Sequence, residues 1–324
     1  MKWFRSSRRF TIVAALCVSL LTVLFFTLGN RGPLYQEKSP RYWVGQLVRN
    51  EPEAHRALLE LGPAAVPALI DAVSERENAI IKSLRPKLPN FVRRHFPNPI
   101  EIQVRRQRAV GVLSDLGTNA APAVPALIAV VGTSDGFAIG YSPRDALMRI
   151  GEAGMPQLVE VLQGSNPKAK AKAAKYLGLL GDKGGAAAPA LGKAIDDRDP
   201  AVRFQAVTAL WQIGPRARAA LPQLKAALGR DDDYFRLQVV QALWEISREV
   251  ESTVPILIKV LGDANNPNRA RAAMLLAQMG PAARDAAPAL RNVTREEFSY
   301  TRVKAEEALK AMGAQTALNA SANP

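Results

Sequence analysis

Residues 199–228 read DPAVRFQAVTALWQIGPRARAALPQLKAAL, and this stretch decides the fold. Asp199 is a natural N-cap, and Pro200 suits the first helical position, where a missing N–H leaves nothing unsatisfied. Ala206, Ala209, Leu210 and Ile213 fall on one helical face, and Gly214 ends the helix as a left-handed cap would. A second helix follows with Pro222 in its first turn, and Leu224, Ala227 and Leu228 form its apolar side. Each helix of the pair has an apolar face that the other cannot cover alone. The same letters return at one constant step along the chain: Pro156, Pro189, Pro222, Pro255 and Pro288; Gly181, Gly214, Ser247, Gly280 and Gly313; Lys170, Arg203, Arg236, Arg269 and Arg302. Three residue types in one register predict a repeat array whose hydrophobic faces are buried by stacking.

The pattern Asp-Pro, an Arg three residues after the Pro, Ala-x-x-Ala-Leu-x-x-Ile-Gly and then Pro-x-Leu resembles the HEAT-repeat family, in its short bacterial form related to phycobilin-lyase repeats. The resemblance covers Glu51 to Gly313 and is strongest between Asn166 and Gly313. It implies an all-α fold, an α-α superhelix or HEAT-like solenoid of about seven helix pairs. First helices are expected to begin near Pro52, Ile100, Pro143, Pro167, Pro200, Asp233 and Pro267, with Ser299 to Met312 as a capping helix. Upstream, Gly62 to Leu69 and Gly117 to Leu127 are half-repeats set further apart than the register step, so an insertion separates them. The expected organisation is a basic flank at 1–9, a transmembrane signal-anchor at 10–28, a linker and cap at 29–50, repeats at 51–313 and a tail at 314–324. Pro40 to Val48 is read as a short helix in which Tyr42 and Trp43 cover the exposed apolar end of the first repeat.

The anchor rests on composition. Lys2, Arg5, Arg8 and Arg9 precede an uncharged run from Phe10 to Leu28. At ~1.5 Å per residue that length spans a hydrocarbon core of ~30 Å. The basic flank is expected to stay cytoplasmic, which places the repeat domain on the extracytoplasmic side of a single-pass membrane protein. Cys17, the only cysteine, lies inside this segment, so the expected exported part can form neither a disulfide nor a thiolate metal site.

Little in the sequence suggests catalysis, a metal or a cofactor. The two histidines, His55 and His95, have no acidic residue beside them in the chain, and no phosphate loop or nucleophile elbow occurs. Asp231 to Asp233 reads as helix capping. The cation column is expected to be a ladder in which each Arg meets Asp199, Asp232 or Asn265 on an adjacent turn. Resemblance and composition together point to a non-enzymatic scaffold for a protein or peptide partner, with the ligand-facing surface expected on the second helices.

The most individual segment is the insertion at 79–108. Between Lys82 and Arg108 it carries eight cations against Glu101 alone, a net of +7 in a chain of net charge +14. Arg85, Lys87, Arg93, Arg94, Arg105, Arg106 and Arg108, with Phe91 and Phe96 between them, are candidate binding residues for an anionic membrane surface or polymer. An exported position argues against nucleic acid as the anion. Trp211 and Trp244, one register step apart on successive first helices, are candidates for either a partner contact or inter-repeat packing.

Overall fold

The computed structural model describes residues 33–76, 79–89, 98–132, 142–230, 232–297 and 299–313. The anchor 10–28, its flank 1–9, the tail 314–324 and the insertion residues Phe91, Arg93, Arg94, His95 and Phe96 lie outside them. Among the described residues there is no β-strand, and the chain divides after Ile150 into two compact units.

The first unit opens with α1 (Pro40–Gln46), capped by the Ser39 hydroxyl. Trp43 is buried, its ring N–H donating 3.2 Å to the Tyr35 carbonyl, whereas Tyr42 stays exposed. Then come α2 (Glu51–Leu61), α3 (Val66–Ser74), α4 (Ala79–Leu84), α5 (Pro99–Leu116), α6 (Val124–Val130) and α7 (Pro143–Ile150). Glu51–Ser74 has the length and hydropathy of a membrane span. It is nevertheless two helices broken at Gly62, with Leu58, Leu61, Val66 and Leu69 in the core of the repeats.

The second unit carries the regular register. Its first helices are α9 (Pro167–Leu179), α11 (Pro200–Ile213), α13 (Asp233–Ser247) and α15 (Arg269–Met279), and α17 (Tyr300–Ala311) closes it. Its second helices are α8 (Met155–Gln163), α10 (Ala188–Ala194), α12 (Leu221–Ala227), α14 (Val254–Gly262) and α16 (Ala287–Thr294). The first helices of both units start within two residues of the expected positions. Asn166, Asp199, Asp232 and Ser299 accept backbone N–H groups in the first turn of α9, α11, α13 and α17, answering donors that no helical carbonyl can reach. Leu158, Leu191, Leu224, Leu257 and Leu290, each two residues after a register proline, are all buried. Burying one such side chain contributes ~2 kcal/mol, so this column alone is a large part of what makes the helix pairs stack.

Two glycines show different constraints. Gly214 takes φ 67° and ψ −141°, a region closed to L side chains, although a Cβ there would meet nothing within 4 Å. Where the register has Ser247 in place of glycine, α13 continues through the serine and Arg248 takes the left-handed conformation at φ 56°. Gly178 has ordinary helical geometry, but a Cβ on it would lie 2.7 Å from the Cα of Ala209 in α11. Gly214→Ala is expected to lower stability by about 1–2 kcal/mol through backbone strain alone. Gly178→Ala is expected to lower it by about 1–3 kcal/mol by forcing α9 and α11 apart. Urea unfolding of the two variants checks both, and no change at Gly178 would mean the helices can separate freely.

Candidate functional site

The cation column is built into the turns. Arg203 donates to the carbonyls of Asp197 and Arg198 at 3.1 and 3.0 Å. Arg236 donates to the Leu228 carbonyl at 3.1 Å, and also to the Arg230 carbonyl and the Asp233 carboxylate. Arg269 donates to the Leu261 carbonyl at 2.9 Å and holds the Glu296 carboxylate with two N–H groups. Lys170 pairs with Asp197, and Arg302 with Glu306. The expected partners Asp199, Asp232 and Asn265 are thereby corrected. Asp199 and Asp232 cap their own helices, and the arginines reach back to carbonyls at or just past the end of the preceding second helix, which lack helical donors.

These pairs set the acid response of the second unit. The Arg269 hydrogen bonds hold Glu296 below the usual carboxylate range, against the smaller opposing effect of burial. Lys225 and Ser252 do the same for Glu249. Burial pushes Asp197 up, but hydrogen bonds from Lys170 and the Asp199 N–H, with the charges of Lys170 and Arg203, bring it below its ordinary value.

The insertion divides. Arg106 is buried and donates 3.1 Å to the Val73 carbonyl in the last turn of α3. Arg105 bonds both oxygens of Glu75, at 3.1 and 2.8 Å. Arg108 reaches the Leu47 and Val48 carbonyls and pairs with Glu51 at 3.0 Å. These three guanidiniums are thus engaged by the fold and do not form an open cationic surface. Lys82 and Lys87 are exposed and Arg85 is half-buried; Leu84, between them, is 45% exposed, and Ile100, in the first turn of α5, is 67% exposed.

Trp244 is buried in the C-terminal core with Leu237, Val240 and Leu257, and Arg248 lies 4.8 Å over its ring. Trp211 is half-buried. Only part of the latter is open to a partner. His55, without an acidic neighbour in sequence, meets Asp115 at 3.0 Å, and Asp115 also bonds Arg149 at 2.9 Å. No nucleophile completes this trio, and no metal-holding cluster of His, Cys, Asp or Glu occurs among the described residues. A groove of about 510 Å³ lies beside Asp196, Asp197 and Asp199, but these carboxylates already serve Arg230, Lys170 and the α11 N-terminus.

An exposed constellation of aromatic and cationic side chains runs across the first helices instead. Phe204 of α11 stacks on Tyr234 of α13, rings 4° from parallel and 6.0 Å apart. The Arg271 guanidinium of α15 lies 4.6 Å over the same tyrosine. One turn further along α15, the Met274 sulfur accepts from the Tyr300 hydroxyl of α17 at 4.0 Å. Lys304 sits 5.3 Å over the Tyr300 ring and bonds Glu307. Tyr234, Met274 and Tyr300 are 49%, 41% and 63% exposed. Sequence reasoning missed this ladder because its column is not constant: Lys168, Ala201, Tyr234, Pro267 and Tyr300 share one register position. The available signal was an aromatic at an exposed first-turn position, twice among only six tyrosines.

A family model described as HEAT repeats matches residues 155–244. No curated protein matches the chain. Among solved structures, an engineered protein is similar at 16% identity and a TM-score of 0.42, covering 85% of this chain and 94% of that one. The complex of CpcE and CpcF of phycocyanin lyase from Nostoc sp. PCC7120 is similar at 20% identity and a TM-score of 0.33, covering 89% and 97%. A designed armadillo repeat protein in complex with the peptide (KR)4 gives 16% identity and a TM-score of 0.31, covering 84% and 98%. None of the three informs the surface described above.

Because the folded carboxyl groups of Glu296, Glu249 and Asp197 titrate below their unfolded values, their stabilisation is complete above the unfolded range and is lost as pH falls through the folded one. Urea unfolding is expected to show stability falling as pH drops below about 5, and Glu296→Gln to flatten part of that fall. An unchanged pH profile in the variant would remove the Arg269 pair from the account.

Proposed function

We propose that the chain, whose residues 155–244 match the HEAT-repeat model, is a non-catalytic scaffold that binds a protein or peptide partner at the cell envelope, held there by the apolar segment 10–28. The observation that carries the binding reading is the aromatic and cationic ladder Phe204, Tyr234, Arg271, Met274, Tyr300 and Lys304. Soluble surfaces rarely collect exposed rings and a thioether in one line without a use, and aromatic residues, Met and Arg are enriched where proteins meet. The second helices, where the surface was expected, present Glu160, Lys193, Lys259 and Asn292, exposed but mixed in charge and without an aromatic. The envelope placement rests on the sequence of the anchor and its basic flank.

A second reading keeps the insertion in play with fewer residues. Leu84 is exposed between Lys82 and Lys87 in the chain, and Ile100 is exposed in the first turn of α5; exposed apolar groups with cations are what insert between lipid headgroups while the charges meet phosphate.

Photocrosslinking in envelope extracts is expected to yield an adduct with the wild-type chain that weakens at least several-fold in Tyr234→Ala/Tyr300→Ala. An adduct of equal intensity in the variant would remove the ladder from the function. Protease added to cells with an intact inner membrane and an opened outer one is expected to cut the repeats. Cleavage only after the inner membrane is opened would reverse the topology. Co-sedimentation of the full chain with phosphatidylcholine vesicles doped with phosphatidylglycerol is expected to be reduced by Leu84→Asp/Ile100→Asp only if the second reading holds.

A further inference from the structure

We infer that the first-helix ladder docks an acidic polypeptide segment, reading its carboxylates with Arg271, Lys168 and Lys175 and its apolar side chains with Met274 and the tyrosine edges. This rests on the protein-binding reading above and names the partner's chemistry. Cations recur at two register positions of the second unit, and Arg271 stands apart from the rest. The column of Lys170, Arg203, Arg236, Arg269 and Arg302 is bonded to carbonyls and carboxylates of the turns. Two residues further along, Lys172, Arg271 and Lys304 share a second register position. There the Arg271 guanidinium lies over the Tyr234 ring with no carboxylate partner among the described residues. Lys168 and Lys175, both exposed on α9, likewise have no ion pair among the described residues. Arginine is desolvated more readily than lysine and binds carboxylates two-pronged, so an unpaired guanidinium oriented by a ring suits an incoming Asp or Glu.

The electrostatics of α9 agree. Its first turn holds no acid to offset the helix dipole, and the Lys172 ammonium is held below its ordinary pKa by burial and by repulsion from Lys168. A carboxylate laid against this end would relieve that repulsion. Tyr234 also bears on the choice of anion. It already carries Phe204 from one neighbouring helix and Arg271 from the other, which leaves less of its ring for the base stacking that single-stranded nucleic acid uses. A second copy of this chain is a poor occupant, because it would bring the same cations to the same surface. Neighbouring helices pack ~10 Å apart, so Tyr234 and Tyr300, two first helices apart, are ~20 Å from one another, about six residues of extended chain.

The test is selection of a random twelve-residue displayed peptide library on the full chain in detergent. Selected peptides are expected to be enriched in Asp and Glu, and to lose at least tenfold in affinity for Arg271→Glu and less for Arg271→Gln. Lys193→Glu on the second-helix face is expected to bind them as the wild type does, and Arg271→Gln, which adds no charge, guards against a folding artefact if it melts with the wild type. Neutral or basic selected peptides, or acidic ones indifferent to both Arg271 variants, would overturn the inference while leaving peptide binding intact. Equal competition by a twelve-residue thymidylate strand would overturn it in favour of a general anion site. If no peptide is selected at all, the inference fails, and the photocrosslinked adduct then decides whether the binding reading fails with it.

Discussion

The repeats of the second unit hang on the carbonyl groups that a helix leaves unanswered at its C-terminal end. Each second helix is short and stops at a turn from which the next first helix must start. The carbonyls of Leu228 and Leu261 would face that turn without donors if Arg236 and Arg269 did not reach back to them. Each guanidinium answers a carbonyl and also a carboxylate: Asp233 in the first turn of its own helix for Arg236, and Glu296 beyond α16 for Arg269, which so joins three segments at one point. Helix caps at Asp199 and Asp232 fix the other side of the same turn. Leucine burial drives stacking, but it is not directional; these polar closures set which turn meets which helix.

The same constraint explains why the basic insertion reads differently in sequence and in structure. Arg106 stands as far before Gly117 as Arg203 does before Gly214 and Arg269 before Gly280. Measured from the helix-ending glycine, Arg106 is a member of the turn column, and its bond to the Val73 carbonyl is the bond its register implies. Counting forward from one repeat to the next hides this, because the insertion lengthens α5 at its N-terminal end and leaves its C-terminal end in place. Local charge density made a surface feature of a residue that the helix register buries.

Much of the fold was legible because its determinants are local and repeated: a cap, a proline, an apolar face and a glycine recur within each pair. The functional surface was not, for a physical reason. A binding face need not repeat, and its residues sit at positions that stacking leaves unconstrained, so Ala201, Tyr234, Pro267 and Tyr300 can share one column. The contact between Phe204 and Tyr234 joins two register positions on adjacent helices, and no single-helix pattern displays it. Trp211 and Trp244 did repeat, and Trp244 serves packing. In this chain periodicity marks what holds the helices together, and the surface we propose for a partner departs from it.

The central claim is that the partner meets the first helices and not the second. A photoactivatable amino acid placed singly at position 300 on the ladder, or at position 292 on the second-helix side, tests it in living cells. The account requires a crosslinked adduct from position 300 and none from position 292. An adduct from position 292 with none from position 300 would contradict it.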